Sequence, residues 1–161
     1  MAEAERKVSL GVPPALVWRL LMDFANYAAW HPFVRLKGEP RLGAIAYTYS
    51  SALAPDRVLR APATITRLDA ERCFEWRSGI RWLFLAIESF TLVPARGGTL
   101  LTHRLEYRGA LPALQPGRLT RKANDMVART GQSLATYLAK HRPGPGKTGP
   151  AKPAIGKRRR R

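Results

Sequence analysis

The chain has 161 residues, 45% of them hydrophobic, which suits one domain with a substantial core and leaves no room for two catalytic domains. Its only cysteine, Cys73, excludes an internal disulfide and a cysteine-built metal site, and reads as a packing residue in a strand. The net charge of +17 points toward anionic partners, while early charges at Glu3, Glu5, Arg6 and Lys7 and apolar runs well below the ~18 residues of a membrane span argue for a soluble cytoplasmic protein.

Residues 5–11 read as a first strand. Pro13-Pro14 presets the opening turn of a helix in which Val17, Leu20, Leu21 and Phe24 recur at helical spacing. A second short helical turn over residues 26–30 is predicted to end at Pro32, because the residue before a proline disfavours the helical region. Residues 33–108 form a meander of about six strands, with breaks expected near Gly43, Pro55, Asp69, Gly79 and Gly97-Gly98.

Alternation puts Ile45, Tyr47 and Tyr49 on one face of their strand and Phe74 and Trp76 on one face of theirs. The next strand groups Phe84, Ala86, Glu88, Phe90 and Leu92, and its partner groups Leu101, His103, Leu105 and Tyr107. A four-residue hairpin loop, Ala95-Arg96-Gly97-Gly98, sets Phe90 opposite His103 and leaves Glu88 one diagonal step from His103. Residues 109–117 read as a loop in which Leu111 and Leu114 form either a mobile apolar rim or part of the core. Over residues 117–141 a long amphipathic helix is predicted, with Leu119, Ala123, Met126, Val127, Thr130, Leu134, Tyr137 and Leu138 on one face and His141 helping to terminate it.

Residues 142–161 hold eight of the 28 basic residues and no acid, so residues 1–141 carry +9. Pro, Gly and Lys dominate this stretch ahead of four final arginines, a composition that cannot bury apolar surface. The expectation is one folded domain over 1–141 and a disordered basic tail over 142–161. The tail is either a solubility appendage or a weak electrostatic tether to nucleic acid or an anionic membrane.

The order strand, two helices, strands, long helix resembles the helix-grip superfamily of START domains, pollen-allergen-like proteins and the polyketide cyclase/dehydrase-like group. The residues that carry the resemblance are Val12 to Trp18, Asp23 to Phe33, Arg41-Leu42-Gly43, Ile65 to Leu68 with Phe74-Glu75-Trp76, and Glu88 to Pro94 with Gly97-Gly98-Thr99; together they span roughly residues 5–140. It implies an α+β fold: a curved antiparallel sheet of about seven strands wrapped around a long C-terminal helix, with two short helices after the first strand and a ligand cavity between sheet and helix. The superfamily spans carriers and enzymes, so the fold alone does not assign an activity.

Within such a cavity Trp30, Phe33, Tyr47, Tyr49, Trp76, Phe90, Tyr107, Met126 and Thr130 are the candidate ligand contacts, and Glu88 and His103 the candidate polar or catalytic pair. Glu88 lies on an otherwise apolar face, so its carboxylate needs a partner, solvent or a proton. Paired with His103 it orients an imidazole for acid/base work; otherwise the two form a structural pair or one faces outward. His31 reads as a residue that fixes the short-helix turn rather than a ligand contact. No dinucleotide fingerprint, P-loop, nucleophile elbow or His-Glu-x-x-His is present, and neither a cofactor nor a metal is expected.

Three functions follow in order. The first is binding of a hydrophobic or aromatic small molecule, such as a lipid, quinone or polyketide. The second is a polyketide cyclase or dehydratase using His103 and Glu88. The third is a basic binder of nucleic acid or an anionic membrane surface.

Overall fold

A computed structural model describes residues 1–51 and 54–141, with side chains described outside residues 51–57. Strand β1 (Ala2–Leu10) leads into helix α1 (Pro14–Met22), a 3-10 turn (Phe24–Asn26) and helix α2 (Tyr27–Trp30). Six strands follow: β2 (Val34–Lys37), β3 (Gly43–Ser51), β4 (Ala54–Asp69), β5 (Cys73–Ile80), β6 (Phe84–Ala95) and β7 (Gly98–Arg108). A short helix α3 (Ala110–Leu114) precedes the long helix α4 (Pro116–Lys140). No described helix is long and apolar enough to cross a membrane.

All seven strands form one antiparallel sheet in the order β1-β7-β6-β5-β4-β3-β2. Chain order is kept from β2 to β7, and β1 closes onto β7 with Ala2 opposite Tyr107 and Leu10 opposite Thr99. Helix α4 lies chiefly against β1 and β7. Its apolar stripe of Ala123, Met126, Val127 and Leu134 is buried because this face has no other cover from water. Gly131 sits where α4 comes closest to β1: a Cβ there would stand 2.8 Å from the Val8 side chain. The core continues through Leu21, Tyr27, Trp30, Ile65, Phe74, Trp76, Phe90 and Leu105.

The sheet, the long helix and the two short helices agree with the expectation from sequence. Two local readings are corrected, the length of the β6–β7 hairpin loop and the form of residues 109–117, while the strand breaks fall where expected. The expected break near Pro55 falls between Ser51, where β3 ends, and Ala54, where β4 begins; β4 then runs through both Pro55 and Pro62. The N-terminal half of β4 pairs with β3 alone, and pairing with β5 begins only at Ala63. An open edge on one side tolerates residues that lack an N–H. The break near Gly79 also falls as expected, since β5 ends at Ile80 and β6 begins at Phe84.

The β6–β7 hairpin is tighter than a four-residue loop, because Ala95 already pairs with Gly98 and leaves Arg96 and Gly97 at the turn. The register is unchanged: Phe90 lies opposite His103 and Pro94 opposite Thr99. Finally, residues 109–117 contain a helix rather than a loop alone, and Leu111 and Leu114 are exposed on it instead of packing in the core. Cys73 is buried, and the basic tail lies outside the described residues.

Candidate functional site

The inward faces of β5, β6 and β7 divide into two successive layers. The first surrounds a cavity of about 100 Å³. Tyr47 and Tyr49 of β3, Ser78 of β5, Phe84 and Ala86 of β6, Leu105 and Tyr107 of β7, and Lys122 and Met126 of α4 are among the residues lining it. One same-face step further along each strand stand Trp76, Glu88 and His103, which form the second layer behind the cavity. Of the candidate ligand contacts, Tyr47, Tyr49, Tyr107 and Met126 therefore border the cavity. Trp30, Phe33, Trp76, Phe90 and Thr130 are buried in the core and are absent from its lining. A more open depression of about 760 Å³ between α2 and the end of α4 has mixed polar and apolar walls, with Arg129, Gln132, Ser133 and Lys140 beside Ala29 and Tyr137.

The cavity walls are aromatic, and their polar groups can all donate. The phenols of Tyr47 and Tyr107 are pushed above the usual range, first by burial and then by the negative charge of Glu88, so both keep their protons. Among the described residues Tyr107 donates only to the thioether of Met126, at 3.4 Å, a weak acceptor. The Lys122 ammonium lies 4.8 Å over the Tyr49 ring. Lys122 and Ser78 had no signal in the sequence beyond their position, since a surface lysine on a basic helix and a strand serine look like many others.

Glu88 is buried, and its Oε1 lies 2.8 Å from Nε2 of His103. The same oxygen lies 3.6 Å from Nε2 of His31. His31 is positioned at the end of α2, where its Nδ1 accepts the backbone N–H groups of Phe33 and Val34 at 3.3 and 3.1 Å. This leaves the hydrogen of the neutral ring on Nε2, turned toward Glu88. His31 thus fixes the turn, and it also joins the carboxylate. Burial pushes its imidazole down, against the opposing influence of Glu88.

Burial alone would drive the Glu88 carboxyl up. The hydrogen bond from His103, then the influence of His31, outweigh it and hold Glu88 at about 2. His103 stacks on Phe90 at 4.3 Å with nearly parallel rings, and its Nδ1 has no partner among the described residues. Among the described residues no group of three His, Cys, Asp or Glu is arranged to hold a metal.

The family model described as "Polyketide cyclase / dehydrase and lipid transport" matches residues 1–139. The chain belongs to this family. No match is found among curated proteins. Similar solved structures share the family's fold at low identity. Protein MLL2253 from Mesorhizobium loti is 16% identical with a TM-score of 0.67, over 86% of this chain and 98% of that one. Ara h 8.0201 is 12% identical with a TM-score of 0.65, over 86% and 98%. DynU16, from the dynemicin biosynthetic locus, is 17% identical with a TM-score of 0.66, over 86% of this chain and 48% of that one. In this family member the cavity borders a buried carboxylate held by two imidazoles.

Proposed function

We propose that the protein binds a small aromatic molecule, or the ring of a larger one such as a quinone or an aromatic polyketide, in the cavity between the sheet and α4. The observation that carries this reading is a cavity with aromatic walls whose polar groups are hydrogen-bond donors. A lining rich in donors suits carbonyl and phenol oxygens, which can accept from it. Size decides between ligand types: about 100 Å³ is below the range of drug-sized pockets and suits one ring rather than a whole lipid.

Native mass spectrometry of protein from its own host, followed by a thermal-shift series of ring compounds with and without a carbonyl, tests the reading. A stoichiometric aromatic ligand and stabilisation that grows with concentration are expected. No shift with any ring compound at saturation counts against it. Ala86→Phe, which fills the cavity, should abolish the shift.

The second layer supports one further reading: proton transfer by His103, oriented by Glu88, to a chain that reaches past the ring cavity. Replacing His103 by Gln should then remove turnover of an enolisable polyketide mimic while leaving ring binding within about twofold of the original. Turnover that survives the replacement overturns this role.

A further inference from the structure

One end of the sheet carries an apolar patch that folding does not explain. The β5–β6 turn and α3 are joined there by backbone hydrogen bonds, from the Ala110 N–H to the Trp82 carbonyl and from the Leu111 N–H to the Leu83 carbonyl, both 3.0 Å. Four large apolar side chains on these two segments face water: Leu114 is 76% exposed, Trp82 73%, Ile80 51% and Leu111 48%. An indole held out on a turn, beside leucines on an adjoining helix, is a contact surface rather than core.

The charge around this patch has one sign. Arg81 lies within the turn, and Arg118, Arg121 and Lys122 project from the first turns of α4; all four are exposed, and among the described residues none pairs with a carboxylate. Residues 76–87 and 107–124 contain no Asp or Glu. Lys122 and Phe84, next to the patch, also line the cavity, so the cavity mouth lies beside this surface.

We propose that this end docks on an anionic lipid surface, with Trp82, Leu111 and Leu114 entering the headgroup boundary and the four cations lying over lipid phosphates. An indole at that depth keeps its ring in apolar surroundings and its N–H in the polar zone. A second copy of the chain is the poorer occupant, because pairing two such ends would bring eight unpaired cations together. Docking stands whether or not the cavity binds a ring.

The test is flotation of the full-length protein with vesicles of phosphatidylcholine alone and with about 30% phosphatidylserine. The comparison protein carries Trp82→Ser and Leu114→Ser, both at exposed positions, and keeps the entire basic tail. Binding to the anionic vesicles, a blue shift of tryptophan emission on binding, and at least about tenfold weaker binding of the double variant without the blue shift are expected. Equal binding of the two proteins, or binding without a blue shift, overturns the proposal and assigns adhesion to the tail. Failure to bind vesicles, with a dimer that the double variant loses, overturns it in favour of a second copy; failure with no dimer overturns it in favour of an acidic protein partner or no partner.

Discussion

Glu88 is the residue on which the interior depends most, since a buried carboxylate is tolerated only while its two imidazoles stay in place. Glu88→Ala should cost about 3–5 kcal/mol in denaturant unfolding, because it strands His103 without its acceptor and removes the charge that His31 faces. Glu88→Gln keeps an oxygen that can accept from His103 and should cost less, about 1–3 kcal/mol.

The pH dependence of stability has one sign for both shifted groups. The Glu88 carboxyl is held at about 2 in the fold against 4.5 in the unfolded chain, so its contribution is complete above about pH 4.5 and is lost as the pH falls toward 2. The His31 imidazole is held below its ordinary 6.5, so from about pH 6.5 downward the unfolded chain takes up a proton that the fold resists. Melting temperature should therefore fall steadily from pH 7 to pH 4. His31→Asn, whose side-chain oxygen can still accept the Phe33 and Val34 N–H groups, should flatten the upper part of that curve. An unchanged slope in this variant would show that His31 is not the group responsible.

The meeting of Glu88 with His103 was legible because strand alternation and a short hairpin together leave few registers, and shortening the loop from four residues to two preserves the pairs and moves nothing inside. The approach of His31 was not legible. It sits in a turn after a short helix, where no periodicity relates it to a strand more than fifty residues later, and its place is set by how α2 packs against α4.

At the scale of elements, the apolar end depends on how α3 is seated. Gly109, at φ 113°, begins α3 with its Cα against the β5–β6 turn; a Cβ there would lie 2.6 Å from the Leu83 carbonyl oxygen. Gly109→Ala combines a disfavoured backbone angle with a backbone collision. We expect a loss of about 2 kcal/mol or more, together with faster amide exchange at Ala110 and Leu111, whose N–H groups bond to that turn. Helix α3 itself escaped the sequence reading: five residues between Gly109 and Pro116 show too few turns for a period to appear. Pro55 marked the β3–β4 break although it lies just inside β4, where one side of the strand is open and a missing N–H is tolerated.

For the whole molecule, charge and fold are separable. Residues 1–141 form the folded domain in our reading, so removing residues 142–161 should leave the melting temperature within about 2–4 °C of the full chain. The same deletion should reduce the slope of log affinity against log salt for a polyanion such as heparin, by up to eight charges' worth. A shorter chain that melts far lower would mean that the tail packs on the domain.

The pairing of the first strand with the last gives the fold a timetable. Strand β1 is made about a hundred residues before β7, its only sheet neighbour among the described residues. At ~5–20 residues per second, β1 spends several seconds without its partner, and the helix that covers it is made later still. The exposed charges of Glu5, Arg6 and Lys7 along that waiting strand make it a poor template for a neighbouring nascent chain. Refolding should accordingly be slow for a chain of this size, with β1 the last strand to gain protection from exchange.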